Sequence, residues 1–296
     1  MEYLCNSCPR QCGVLRGETG RGFCRMGADA VVARAAPHFD EEPVLSGTNG
    51  SGAVFFSGCS LRCVFCQNRP ISHGGFGRCV PVEGLREIYR SLVAQGVHNI
   101  NLVNPTHFLE PILASLDRSP GVPVVWNSGG YERRESIRRL EGRVQVYLPD
   151  LKYRDVATAG RYSGAPDYFA FASAAIREML FQTGPVEIGP DGLIRRGVIV
   201  RHLVLPGRAE ESMRVLDWIG ENLPGAWVSL MAQYMPMGEV QGLDELDRRL
   251  FPREYRRVVA HMRKIGLTDG FLQELGSAEE KYIPEFDLTG VPESFT

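Results

Sequence analysis

The sequence predicts an α/β protein: a partial (β/α)6 TIM-type barrel with a small metal-bound lobe at its N-terminus. Three observations lead there. Short apolar stretches rich in Val, Leu and Ile alternate with segments of helical period. The first of these stretches runs straight into a cysteine loop, Cys59-x3-Cys63-x2-Cys66. Four further cysteines, Cys5, Cys8, Cys12 and Cys24, lie in a glycine-containing N-terminal segment with no convincing helix or strand period.

The candidate strands are 53–57, 99–104, 122–126, 144–148, 198–205 and 226–231. Near-continuous apolar strands fit a sheet covered on both faces. The candidate helices are 82–95, 131–140, 168–182, 210–222 and 253–265. Residues 82, 85, 88, 89, 92 and 93 of the first make one apolar stripe. Gly184-Pro185 and Gly189-Pro190 punctuate a loop. Alternating units imply parallel strands with right-handed crossovers. Six units are too few for a closed eight-fold barrel. The expected division is a cysteine-rich lobe at 1–45, the barrel core at 46–270 and a C-terminal extension at 271–296.

Composition narrows the function. The net charge of -2 gives no global field for nucleic acid or an anionic membrane. No apolar run approaches the roughly 18 residues of a membrane span. The N-terminus lacks a signal-peptide pattern, so a cytoplasmic location is expected. There, clustered cysteines are metal ligands or catalytic groups more often than disulfides.

Three thiolates within eight residues can wrap one iron–sulfur cluster. A four-iron cubane held by three cysteines keeps one iron open for chemistry. A zinc knuckle is the plainer alternative; its fourth ligand would be His73 or Cys79. The N-terminal set, Cys5-x2-Cys8-x3-Cys12-x11-Cys24, offers four thiols, enough to close either a zinc site or a second [4Fe-4S] cluster. Cys79 is assigned no role.

In β/α barrels the chemistry gathers at the C-terminal ends of the strands. Polar residues end every candidate strand here: Asn104-Pro105-Thr106-His107, Asn127-Ser128, Asp150-Leu151-Lys152, and Gln233-Tyr234. Arg201 interrupts an apolar strand and needs an anionic or strongly accepting partner, a bound ligand or a carboxylate such as Asp150. Asp150 and Lys152 share a strand face, with a strand-end salt bridge as the simple reading. His38 and Glu41-Glu42-Pro43 precede the first strand and receive no chemical role beyond capping the lower rim.

The loop Gly58-Cys59-Ser60-Leu61-Arg62-Cys63-Val64-Phe65-Cys66 resembles the cluster loop of radical S-adenosylmethionine (SAM) enzymes. That resemblance implies a [4Fe-4S] cluster on Cys59, Cys63 and Cys66, and SAM with its adenine near Phe65. It also implies reductive cleavage of SAM to a 5′-deoxyadenosyl radical. The segments at Asn127, 150–152 and 201–207 resemble glycyl-radical-enzyme activases of the pyruvate formate-lyase activating type. The closest likeness is to an activase-like branch with the N-terminal Cys-x2-Cys-x3-Cys pattern. The resemblance implies a monovalent cation at Asp150, helped by Asn127 and Ser128, and a SAM contact for Arg201. Lys152 would offset substrate charge. Two departures stand out. Asn104, Thr106 and His107 occupy the place of the family's Gly-Gly-Glu turn, and Asn127 replaces a turn aspartate.

The implied function is hydrogen abstraction from a protein or peptide, with activation of a glycyl radical enzyme as the first reading. A small-molecule substrate is an alternative; so is a non-enzymatic iron–sulfur or zinc protein. The implied partner is a low-potential electron donor such as flavodoxin or ferredoxin, with no nucleic acid and no membrane.

Overall fold

The computed structural model describes residues 2–17, 21–277 and 284–294. The rest of the expected C-terminal extension, 278–283 and 295–296, lies outside the described residues.

The main sheet is built on β1 (Ala30–His38), β2 (Ser51–Phe56), β3 (Ile100–Val103), β4 (Val124–Ser128), β5 (Val146–Pro149), β6 (Ile194–Leu203), β7 (Trp227–Met231) and β8 (Gly270–Leu272). From β2 to β8 the neighbours are consecutive and every pair is parallel. Each expected strand is present within a few residues of its expected bounds, and β8 adds a further parallel strand. Among the described residues β8 does not pair back onto β1 or β2, so the barrel is open.

The sheet begins inside the segment expected as a separate lobe. β1 pairs antiparallel with β2 from Val32–Phe56 to His38–Ser51. Its sequence, rich in alanine, carries little strand propensity of its own; the fully buried β2 beside it supplies the pairing and the cover. The sheet also runs past residue 270 through β8. Farther on, the chain returns across β1: Leu288 N donates to Ala33 O at 3.0 Å, and Ala35 N to Thr289 O at 2.8 Å.

The expected helices form, with one correction. Val82–Ala94 buries Leu85, Ile88, Tyr89 and Leu92, the face its period predicts. Helix 131–140 shortens to Arg134–Arg138. Gly130 explains part of this. At φ +77°, a Cβ there would stand 2.0 Å from Asp150 O, so the chain hugs the next strand before it can coil.

What closes the barrel bottom is the connection between β1 and β2. The short helix Pro43–Ser46 turns beneath the strands, and Leu45 is buried among Val125, Val146, Leu148, Ile194 and Ile199. Fully burying one such side chain is worth about 1.5–3 kcal/mol. This apolar plug sets Glu41 and Glu42 at the foot of the interior.

Candidate active site

The cysteine loop follows β2. Gly58 lets it turn: its φ is +80°, and a Cβ would meet Met26 Cγ at 2.5 Å and Cys24 O at 2.9 Å. The N-terminal segment therefore packs directly against the loop. Asn104, itself at φ +59°, holds the loop from β3 by donating from Nδ2 to Gly58 O at 2.5 Å.

Cys59, Cys63 and Cys66 line one wall of a cavity of about 650 Å³. Leu61 N donates to Cys59 Sγ at 3.3 Å. Ser163 Oγ lies 3.0 Å from Cys63 Sγ, and Ser72 Oγ 3.2 Å from Cys66 Sγ. Burial pushes the Cys59 thiol up to about 12, and its neighbours Cys63 and Cys66 add to the rise. Burial also raises Cys63, against the opposing pull of Lys152. Three soft sulfurs, close enough to feel one another and each beside a polar group, fit a thiolate-ligated cluster. Among the described residues no three or more His, Cys, Asp or Glu side chains form a group set to hold a single metal ion.

Phe65 lines the same cavity, edge-on to Tyr234 at 5.9 Å between centroids. Asn104, Asn127, Ser128, Asp150, Lys152 and Arg201 also line it. Lys152 Nζ is 2.5 Å from Asp150 Oδ2, and Arg201 Nε is 3.4 Å from Asp150 Oδ1. Burial would raise the Asp150 carboxyl, but these two cations outweigh it and hold it low. The carboxylate that the resemblance assigns to a monovalent cation thus already carries two cations of the chain itself.

Arg201 reaches farther. Its Nη2 donates to Asn127 Oδ1 at 2.5 Å and its Nη1 pairs with Glu41 Oε2 at 3.0 Å. Glu41 Oε1 accepts from Asn101 Nδ2 at 3.0 Å and Asn127 Nδ2 at 3.1 Å. Glu41 and Glu42 both line the cavity. Sequence reading left them without chemistry. The available signal was Arg201 itself, a buried cation that Asp150 alone, already shared with Lys152, does not fully satisfy.

Two expected cofactor residues stand elsewhere. Thr106 and His107 are buried and are not among the cavity-lining residues. Thr106 Oγ1 donates to Glu132 Oε1 at 2.7 Å, and Trp126 Nε1 donates to the same oxygen at 3.0 Å. Burial raises the Glu132 carboxyl to about 7. His107 Nε2 lies 2.6 Å from Ser57 O, just behind the loop, and burial lowers the ring to about 3. Both residues brace the cysteine loop and β4 from behind.

The second cysteine set lies near the small hairpin of Tyr3–Leu4 with Leu15–Arg16: Cys5, Cys8 and Cys12 fall between its strands and Cys24 follows them. Cys5, Cys8 and Cys24 are buried and Cys12 half-buried. Burial pushes the Cys8 thiol to about 12, with Cys5, Cys24 and Cys12 all close enough to contribute. Arg16, only 1% exposed, donates from Nη2 to Cys24 Sγ at 2.8 Å and from Nη1 to His107 O at 2.8 Å. A buried guanidinium calls for anionic company, and thiolates gathered on a metal would provide it. The set is tied to the first loop: Arg10 Nε donates to Ser60 O at 2.9 Å, and Arg62 Nη2 to Phe23 O at 2.8 Å.

The molecule is therefore an open parallel-sheet α/β protein with a thiol-lined cavity inside its sheet. That fold is shared with SuiB of Streptococcus suis bound to its precursor peptide SuiA, with a TM-score of 0.50 at 14% identity over 74% of this chain. This chain spans about half of that one, 48%. A domain of pyruvate-formate lyase-activating enzyme from Bacteroides vulgatus aligns at a TM-score of 0.39 and 12% identity, over 65% of this chain and 91% of that one. No family model matches the sequence. The chain belongs to the family of uncharacterized protein MJ0674 of Methanocaldococcus jannaschii. The two are 32% identical over 273 residues, covering 89% of this chain and 75% of that protein. Among the described residues no helix is long and apolar enough to cross a membrane.

Proposed function

We propose that this protein is a radical SAM enzyme acting on a protein or peptide. The observation that supports it most is the placement of Cys59, Cys63 and Cys66 at the end of the first parallel strand, on the wall of a cavity that polar strand-end residues also line. These three thiols would hold a [4Fe-4S] cluster, leaving one iron without a protein ligand. Cluster and SAM together supply a 5′-deoxyadenosyl radical when bound.

The chain's own part is to position and to exclude water. Asn104 fixes the loop, Phe65 offers an aromatic edge, and Asn127, Ser128 and Arg201 present polar groups to the ligand. Asp150 keeps Lys152 charged by direct pairing.

Activation of a glycyl radical enzyme is the first substrate class, on the likeness of residues 127–128, 150–152 and 201–207 to activases. Modification of another peptide is the second, favoured by the fold shared with SuiB, which was solved with a precursor peptide. A flavodoxin- or ferredoxin-type donor and a cytoplasmic setting complete the reading. Cys5, Cys8, Cys12 and Cys24 would hold a second metal centre, zinc or [4Fe-4S], whose negative charge Arg16 offsets.

The test is anaerobic reconstitution with iron and sulfide, metal counting, and a SAM-cleavage assay under dithionite. About four irons with one zinc, or about eight irons, together with 5′-deoxyadenosine, supports the reading and names the second metal. Full iron loading with neither 5′-deoxyadenosine nor a SAM-dependent change in the EPR spectrum sinks it.

A further inference from the structure

The cavity floor carries an imbalance that its own residues do not resolve. Among the described residues, Asp40, Glu41, Glu42 and Asp150 line the cavity, with Lys152 and Arg201 as its lysine and arginine cations and His38 as its one histidine; Asp40 is exposed to water. Lys152 is taken by Asp150, and Arg201 by Glu41 and Asp150. Glu42 is the buried carboxylate among them without an ion pair of its own. It is 9% exposed, it lines the cavity, and its Oε2 has no hydrogen-bond partner among the described residues. Burial raises its carboxyl, Arg201 and, more weakly, Ser229 oppose the rise, and Glu41 adds to it. A buried carboxylate with no cation in direct contact is costly. Pro43 and the buried Leu45 anchor the backbone that follows Glu42.

We propose that Glu42 is a binding subsite for a cationic group, an alkylammonium or guanidinium that enters the thiol-lined cavity and supplies the missing positive charge. The inference deepens the proposed function and rests on the cavity being the reaction site. It narrows the substrate to one bearing a cation, as a lysine or arginine side chain of a peptide does. SAM carries an ammonium as well, so the shared chemistry has two sources. The test separates them.

The reconstituted protein and Glu42→Gln are melted at pH 8 in butylammonium chloride, in sodium chloride of equal ionic strength, and in n-butanol. SAM affinity is measured on both by equilibrium dialysis. Butylammonium is expected to raise the wild-type melting temperature by about 2 °C or more beyond both controls, and Glu42→Gln to lose that gain. A fall in SAM affinity of about tenfold in Glu42→Gln, with no butylammonium effect, places the cationic group on SAM instead. Equal responses of the two proteins to butylammonium and to SAM overturn the proposal. So does a wild type that responds to butylammonium no more than to n-butanol while binding SAM as Glu42→Gln does, and this comparison of ligands does not depend on how well the variant folds. A wild type that forms no 5′-deoxyadenosine refutes the SAM assignment separately, since the cation experiment reads the floor alone.

Discussion

Arg201 and Glu41 are 160 residues apart in sequence, and their side chains meet at 3.0 Å across the barrel interior. The pair ties the connection beneath the barrel to β6. Asp150 and Asn127 complete the guanidinium's surroundings from β5 and β4. Both partners are largely buried, with side-chain exposures of 17% and 10%.

Removing one partner of such a pair leaves the other charge stranded. Arg201→Met should cost about 3–5 kcal/mol of stability. The double variant Glu41→Gln/Arg201→Met should recover part of it, because both charges are then gone. Thermal unfolding of the two single variants and the double variant gives the coupling. Additive losses would show that the pair does not act as a unit.

Cys63→Ala should remove the iron bound at the 59–66 loop and abolish 5′-deoxyadenosine formation. The metal at Cys5, Cys8, Cys12 and Cys24 should stay, since those thiols lie on a different element. Metal counting on the purified variant checks both halves. Loss of all metal would mean that the two sites fold together.

Arg16→Met should weaken the N-terminal site and leave the loop cluster bound. The guanidinium gives up contacts to Cys24 Sγ, Gly27 O and His107 O. Hydrogen bonds to charged groups are worth about 1.5–3 kcal/mol, so a loss of at least about 2 kcal/mol is expected. A variant that keeps its full metal content and melting temperature would show that the thiols need no counter-charge.

Glu132 makes stability depend on pH. Its folded carboxyl stands at about 7 against an ordinary 4.5, raised by burial. Between those values the folded chain holds more protons than the unfolded one, so stability falls as pH rises through the window. The contribution is about 3 kcal/mol. Glu132→Gln removes it, and Gln can still accept from Thr106 and Trp126. The variant should gain stability relative to wild type from pH 5 to pH 8. His107 has the opposite sign, its ring being lowered to about 3, but it is the same in both proteins and cancels in the comparison. A constant difference across that range would contradict the assignment.

The sequence by itself determined the cysteine spacing, the parallel strands and the outer helices. These follow from turn chemistry and from apolar periods, both of which act over a few residues. The polar strand ends were legible for the same reason, and Asn104, Asn127, Ser128, Asp150, Lys152 and Arg201 do meet at one cavity. Tertiary structure decided what no local pattern carries. It made a sheet strand of Ala30–His38, because a buried neighbour outweighs weak propensity. It turned Thr106 toward Glu132 and His107 toward Ser57, because the short 3-10 helix Thr106–Phe108 folds behind the cysteine loop. It also brought Glu41 and Glu42 into the interior, because Leu45 is drawn under the barrel and carries them with it. Charge partners that far apart are chosen by topology: a carboxylate pairs with whichever cation the packed strands place beside it.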